Sequence, residues 1–379
     1  MASKARQVKL KERLKWILPL VLAVLVTIAT WFHLWIEQVY AAAIYPYLAV
    51  VQRTLTGWIP LSLGDFLYLF FGIWLLVTII KTIAATVRRR ITLRKTLSRL
   101  FLAIRTLLWI YIIFSLLWGW NYHRAGLQHQ LQLPVGKYPA SEVKSLIGEI
   151  IVRLNQNRAM ISRDTITPER DFARMRADAV SAYLRAEDHY PFLAYRMPSV
   201  KKSIYTATAQ YFGFTGYYNP FTGEAQLRNN IHPLMKPFVL CHEIGHQLGY
   251  AKEDEASFSG YLAGAVSVDP YLRYSVYLEL YDFARARYLV LKRIESDTLE
   301  LRSEMKAFND QLDTMVRFDR RKVREYMLRF RTPFSDQMSS VVMSAYEQYL
   351  IANKQAKGLK SYDDVISLLI AYRRKYGYI

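Results

Sequence analysis

The sequence predicts an α-helical membrane region with three transmembrane helices, followed by a mainly α, α+β domain with a small sheet. Three observations carry this reading. The chain is 52% hydrophobic, and the apolar content is concentrated in the first 120 of its 379 residues. From Ala140 onward, apolar residues recur at the three- and four-residue steps of a helix. Between Tyr190 and His232 the pattern changes to short runs rich in Tyr, Phe, Thr and Val, broken by Gly213, Gly216, Pro220 and Gly223.

Trp16–Ile36, Phe66–Ala84 and Phe101–Trp120 each approach the ~20 apolar residues that a helix needs to cross a bilayer. Lys81 and Arg105 lie near span ends, where a long aliphatic stem lets the charge reach water. The first run is longer than the apolar stretch of a cleaved signal peptide, and two more spans follow, so it reads as an anchor. Lys4, Arg6, Lys9, Lys11, Arg13 and Lys15 precede it, and a second basic group, from Arg88 to Arg99, separates spans two and three. The Glu37–Asp65 loop holds Arg53 alone. This asymmetry places the N-terminus in the cytoplasm and everything after Trp120 outside. Val39–Leu63 mixes Tyr, Trp, Pro and small residues and reads as an interfacial or re-entrant segment.

The formal net charge of +20 is explained largely by these topology signals. Residues 121–379 carry 36 Lys and Arg against 28 Asp and Glu, spread through helical patterns and not gathered into an aromatic-interleaved stripe. Nucleic acid is therefore not expected as a partner. Transport is disfavoured because the spans lack paired intramembrane charges and any repeat. Cys241 is the one cysteine, so no intramolecular disulfide can form.

A polar stretch over 121–139 reads as a linker into a domain spanning 140–379. Helices are expected over Ser141–Asn155, Tyr274–Leu291, Leu299–Val316 and Ser361–Tyr376, which have good helix formers and few breakers.

The chemistry-bearing segment is Pro237-Phe-Val-Leu-Cys-His-Glu-Ile-Gly-His-Gln-Leu-Gly249. Pro at a permitted first-turn position and Gly at the close bracket a helix. His242 and His246, spaced i and i+4, share one face of it, so two imidazole nitrogens can converge on a tetrahedral Zn2+. Glu243 beside them can take a proton from zinc-activated water and pass it to the leaving amine, the metallopeptidase reading of H-E-x-x-H. After Gly249 the chain can double back, and Glu253-Asp254-Glu255 can begin a second helix that offers a third ligand. Glu253 and Glu255 cannot occupy the same face. From the residues alone, either Glu253 or Glu255 can be that third ligand. The blander readings are an acidic first turn that favours the helix dipole and two satisfied core histidines. Tyr217, Tyr218, Tyr261 and His232 are candidates for stabilising the oxyanion. Tyr217 to Arg228 reads either as a strand bordering the cleft or as an ordinary hairpin.

Three blocks carry a resemblance to a known family. They are Val200-Lys-Lys-Ser203, Gly216-Tyr-Tyr-Asn-Pro-Phe-Thr-Gly-Glu-Ala225, and Cys241-His-Glu-Ile-Gly-His-Gln-Leu-Gly-Tyr-Ala-Lys-Glu-Asp-Glu-Ala-Ser-Phe258. The sequence resembles the bacterial membrane-protein family catalogued as domain of unknown function 3810, grouped with zincin-type peptidases. The Glu-x-x-Ala beginning at Glu253 is also similar to the third-ligand helix of several zincins, a likeness that prefers Glu253 to Glu255. The resemblance implies a zincin-like metallopeptidase domain, with no established substrate, anchored in a bacterial cytoplasmic (inner) membrane. Ser257 stands where the family pattern has Asn. A metzincin reading would place its third ligand at Lys252, a poor ligand while protonated.

The expected function is thus a membrane-anchored zinc-dependent peptidase acting on extracytoplasmic peptides or proteins, with the lipid bilayer as its other partner. The competing expectation is a non-catalytic receptor or assembly factor with a structural or vestigial zinc site.

Overall fold

A computed structural model describes residues 2–88, 92–162, 171–295, 298–352 and 364–379. The N-terminal region read as the membrane region comprises α1 (Ala2–Ala29), a one-turn α2 (His33–Trp35) that runs through a π-helix (Ile36–Ile44) into α3 (Tyr45–Thr56), then α4 (Leu63–Val87) and α5 (Leu93–Leu117). α1 and α5 run in the same direction. Trp16 meets Phe101 with ring centroids 5.6 Å apart, and Thr27 Oγ1 meets Tyr111 Oη at 2.8 Å. α4 is antiparallel to α5, and near their shared loop Arg99 Nη1 donates to Thr82 Oγ1 at 3.1 Å.

Three apolar helices near the N-terminus are long enough to cross a membrane: His33–Thr56, Leu63–Val87 and Arg94–Leu117, with Lys15–Ala29 a shorter apolar stretch. The expected first span, Trp16–Ile36, is divided. α1 stops at Ala29, Thr30–Phe32 form a turn, and Ile36 is fully buried in the next helix. Local hydroxyl groups favour the break, because Thr27 Oγ1 donates to Ala23 O at 2.8 Å and Thr30 Oγ1 to Thr27 O at 2.7 Å.

His33–Thr56 differs from the other apolar helices. One third of its apolar window is buried in the structure, against 11% for α4 and for α5. It starts beside the end of α5, where His33 Nδ1 lies 2.9 Å from His123 O, and leads by a short loop to Ser62, the cap of α4. Both ends therefore lie on the side of the bundle that faces the domain, as an interfacial segment over Val39–Leu63 would require.

The domain continues with a 3₁₀ turn (Gly119–His123), α6 (Gly126–Gln130), α7 (Ala140–Ala159), α8 (Phe172–His189), a second 3₁₀ turn (Pro191–Leu193), β1 (Val200–Lys202), α9 (Thr206–Ala209), β2 (Gly216–Asn219) and β3 (Glu224–Leu227). It closes with α10 (Lys236–Gln247), α11 (Glu253–Ala265), α12 (Pro270–Glu295), α13 (Thr298–Asp310), α14 (Thr314–Leu328), α15 (Pro333–Ala352) and α16 (Asp364–Tyr376). The core lies where α7 packs along α12, burying Val143, Leu146, Ile147, Ile150 and Leu154, the stripe read from the sequence. The expected small sheet is present, in the order β1-β3-β2. β1 is parallel to β3 (Lys201 opposite Gln226), and β2 is antiparallel to it (Tyr217 opposite Gln226).

One further expectation is corrected. The helix read over Leu299–Val316 is two helices, because Asp313 caps a new one by accepting from Met315 N at 2.7 Å. The stretch 121–139, read as a linker, is packed in part, with Asn121 and Leu127 completely buried. Of the helix expected over Ser361–Tyr376, residues 361–363 lie outside the described residues.

Packing of 121–139 depends on a buried ion pair. Arg124 Nη2 lies 3.2 Å from Glu37 Oε1, and Glu37 also accepts from Gly126 N at 3.1 Å and Gln130 Nε2 at 3.1 Å. Replacing Glu37 with Ala leaves Arg124 buried without its counter-charge, a change that costs about 3–5 kcal/mol in comparable pairs. Thermal unfolding in detergent should show a lowered midpoint for Glu37→Ala and recovery of most of the loss in the Glu37→Leu, Arg124→Met double variant.

Candidate metal centre

α10 supplies three of the site's side chains. Its start is set by Pro237 in the first turn, and beyond its end Gly249 takes φ +87°, which lets the chain turn back into α11. A side chain at Gly249 would also meet the ring of Tyr45 and the amide of Asn121. The reversal brings the first residue of α11, Glu253, across the histidine face of α10.

Glu253 Oε2 lies 3.1 Å from His242 Nε2 and 3.6 Å from His246 Nε2. The three residues are buried and their candidate ligand atoms lie within 4.8 Å of one another. The opposite ring nitrogens are engaged by protein: His242 Nδ1 contacts Ser257 Oγ at 3.1 Å, and His246 Nδ1 donates to the Tyr250 carbonyl at 2.8 Å. These contacts fix the ring planes and leave both Nε2 atoms directed at Glu253, as outer partners of metal-binding histidines do. Ser257, where Asn was expected, thus still makes the contact to His242.

Electrostatics fit a cation between these groups. Burial lowers the basicity of His242. Burial acts the same way on His246, but the Glu253 carboxylate outweighs it and lifts His246 to about 9. Glu253 is held well below the ordinary carboxylate range because the two histidines overcome the cost of its burial. Glu243 is raised to about 8, chiefly by burial, and its Oε2 has no hydrogen-bond partner among the described residues. Three protein donors with an open fourth position are the ligand set of a catalytic zinc; structural zinc has four.

The structure separates the two acidic candidates. Glu255 turns away from the histidines, its Oε1 3.4 Å from Lys252 Nζ and its carboxylate against Gly126. The oxyanion candidates divide as well. Tyr217 and Tyr218 line the same cleft as the histidines. Tyr217 Oη donates to Asp65 Oδ1 at 2.5 Å, and Tyr218 Oη lies 3.3 Å from Tyr45 Oη. Tyr261 packs on Tyr372 outside the cleft. His232 stacks edge-on against Tyr326, pulled to about 4 by burial and by Lys236.

The cleft holds about 550 Å³ and is bordered by Gly216, Tyr217 and Tyr218 of β2, which lies at the edge of the sheet. Gly216 lets Glu243 approach the strand, because a Cβ there would stand 2.5 Å from Glu243 Oε1. Several wall residues were missed in the sequence: Trp118 and Tyr122 just beyond α5, Met343 and Tyr349 of α15, and Glu279 of α12. Glu279 is raised to about 8, mainly by burial and further by Asp282. Each comes from an element distant in the chain, so no local pattern marks it.

The family model described as Protein of unknown function (DUF3810) matches residues 40–370. The chain belongs to this family. No curated protein and no solved structure matches it. In this DUF3810 protein the three blocks noted in the sequence converge on the joint between membrane region and cleft. The first places Lys201 Nζ against Thr56 O at 2.8 Å and against Ile59 O. The second brings Glu224 to the start of α4, where its carboxylate accepts from Leu63 N and Gly64 N. The third is the donor cluster itself.

In competition calorimetry with Zn2+, Glu255→Gln should bind as the unaltered protein does. Ser257→Ala should lose roughly 10–100-fold in affinity, as expected for an outer partner of a ligand, and Glu253→Gln should lose more.

Proposed function

We propose that this protein is a membrane-anchored zinc-dependent peptidase. The observation that carries the reading is the convergence of His242, His246 and Glu253 in a cleft that the buried Glu243 also lines. Zn2+ held by these donors would polarise water and the scissile carbonyl.

The remaining roles fall to the chain itself. An extended peptide can pair with the outer edge of β2, which sets its backbone direction past the histidines. Glu243, kept from other partners, can accept a proton from the attacking water and deliver it to the leaving amine. Tyr217 and Tyr218 line the same wall, but their hydroxyls are engaged by Asp65 and Tyr45, so either would have to leave that partner to donate to the oxygen that gains charge. Apolar walls from Phe238, Val239, Phe283 and Met343 exclude water and suit an apolar side chain of the substrate.

The test joins metal content to cleavage of a peptide library by the same samples. Unaltered protein should carry about one zinc per chain, and His242→Ala should lose it. Glu243→Gln should keep the zinc and lose roughly 10²–10⁴ in rate, the usual contribution of a general base. Full cleavage by Glu243→Gln, or wild type that neither binds zinc nor cleaves, would overturn the reading.

A further inference from the structure

We propose that the substrate is a polypeptide anchored in the same bilayer, cut within a few residues of the point where it leaves the membrane. The inference rests on the peptidase reading and narrows its substrate class.

The height of the site above the membrane is set by covalent neighbours. Leu117 is the last residue of α5, and Trp118 follows it directly. The Trp118 indole Nε1 donates to the His246 carbonyl at 3.4 Å, and the Trp118 and His246 rings are 6.0 Å apart. A 25-residue helix is about 37 Å long, and the hydrocarbon core it crosses is ~30 Å thick. The end of α5 thus stands in the headgroup layer, and the donor cluster lies one side chain beyond it. The opposite wall is tied down in the same way, since β2 is held to the first turn of α4 through Tyr217 and Asp65.

The surface around the cleft matches a lipid partner. His33–Thr56 and its flanking turns turn Glu37, Gln52 and Arg53 inward, where each is buried. Outward they present Trp31 (67% exposed), Tyr47 (75%), Leu55 (65%) and Trp58 (78%), side chains as open as Phe70 (66%) within α4. The occupant of this face is the bilayer, because the face is continuous with the spans and carries the Trp and Tyr of an interfacial belt. α15 also reaches the spans and carries exposed apolar side chains. Tyr349 packs on Phe114 of α5 with ring centroids 6.3 Å apart, while Phe334 and Val341 are 61% and 60% exposed.

A chain emerging from the bilayer therefore reaches the cleft directly. At about 3.3 Å per extended residue, a headgroup layer of roughly 5–8 Å a side is crossed in about two residues, so the accessible bond lies just past that point, within a few residues of the apolar span. Anchoring also keeps such a substrate at high effective concentration.

The experiment uses full-length protein in phosphatidylethanolamine–phosphatidylglycerol vesicles. A sequence cleaved in the library is presented as a soluble peptide, fused about three residues from a transmembrane helix, or fused beyond a stiff Pro-rich spacer of about fifteen residues, which holds it ~45 Å away. The near fusion should be cut at least tenfold faster than the spaced one. Equal or reversed rates overturn the inference while leaving the peptidase reading intact, and cleavage of none of the three overturns the peptidase reading. A second measurement needs no activity: a fluorophore on Met343→Cys, in the cleft wall, should be quenched by headgroup spin-labelled lipid. Absence of quenching refutes the membrane-level site whatever the cleavage data show.

Discussion

The last turn of α10 depends on groups that arrive from the membrane region. The closing carbonyls of a buried helix have no partners within it and must find donors elsewhere. Here the Gln247 carbonyl accepts from Arg53 Nη1 at 2.9 Å and Tyr45 Oη at 3.2 Å, both from α3, and the His246 carbonyl accepts from the Trp118 indole. Arg53 is only 2% exposed and lies over the Tyr195 ring at 5.1 Å. A guanidinium at a helix C-terminus is favoured by the dipole, and one so deeply buried is tolerable only where carbonyls and an aromatic face replace water. The Gln247 side chain completes the joint, donating to Ser199 O and Gly223 O and accepting from Tyr195. Membrane region and donor cluster thus form one folding unit, because the helix that carries the histidines is finished by residues outside the domain.

This dependence explains how the ligands can be set so closely by so short a motif. The i, i+4 spacing brings two imidazoles to one face, but it does not choose which nitrogen of each ring faces the gap. That choice comes from Ser257 in α11 and from the Tyr250 carbonyl in the turn, and both exist only because Gly249 reverses the chain. The turn itself is held by Arg124, which donates to the Gly249 carbonyl at 3.2 Å and covers the Tyr250 ring at 4.7 Å. Arg124 in turn needs Glu37. A carboxylate of the His33–Thr56 segment therefore reaches the donor cluster in three contacts, through Arg124 and Tyr250.

What the sequence made legible follows from the range of the interactions involved. Helix periodicity, the Pro237 and Gly249 brackets and the apolar runs are local, and α10, α7, α4 and α5 were readable from them. The choice of Glu253 over Glu255 was half legible: residues two apart cannot share a helix face, but which face meets α10 depends on the crossing of two helices. Tyr261 and His232 had suitable chemistry and stand elsewhere because their own elements pack elsewhere. Glu37 and Arg53 looked like isolated polar residues in an interfacial segment. Their partners, Arg124 and the Gln247 carbonyl, lie 87 and 194 residues away, and no periodicity records a pairing over such distances. The break before Asp313 was locally encoded, since Asp is a strong helix cap, and was concealed by good helix formers on both sides.

The buried charges also bear on what the cluster can hold. A carboxylate as enclosed as Glu253, at 3% exposure, needs positive charge close by. A proton on His246 can supply it, and Glu253 accordingly lifts that histidine to about 9. A divalent ion among the same three donors would displace the proton and deliver more charge to the same place, so its binding should release a proton near neutral pH. Glu243 is affected in the same sense. Burial raises it to about 8, and positive charge beside it would favour the carboxylate. Occupancy of the cluster by an ion would therefore be coupled to the charge of Glu243, and burial is what would make that coupling strong.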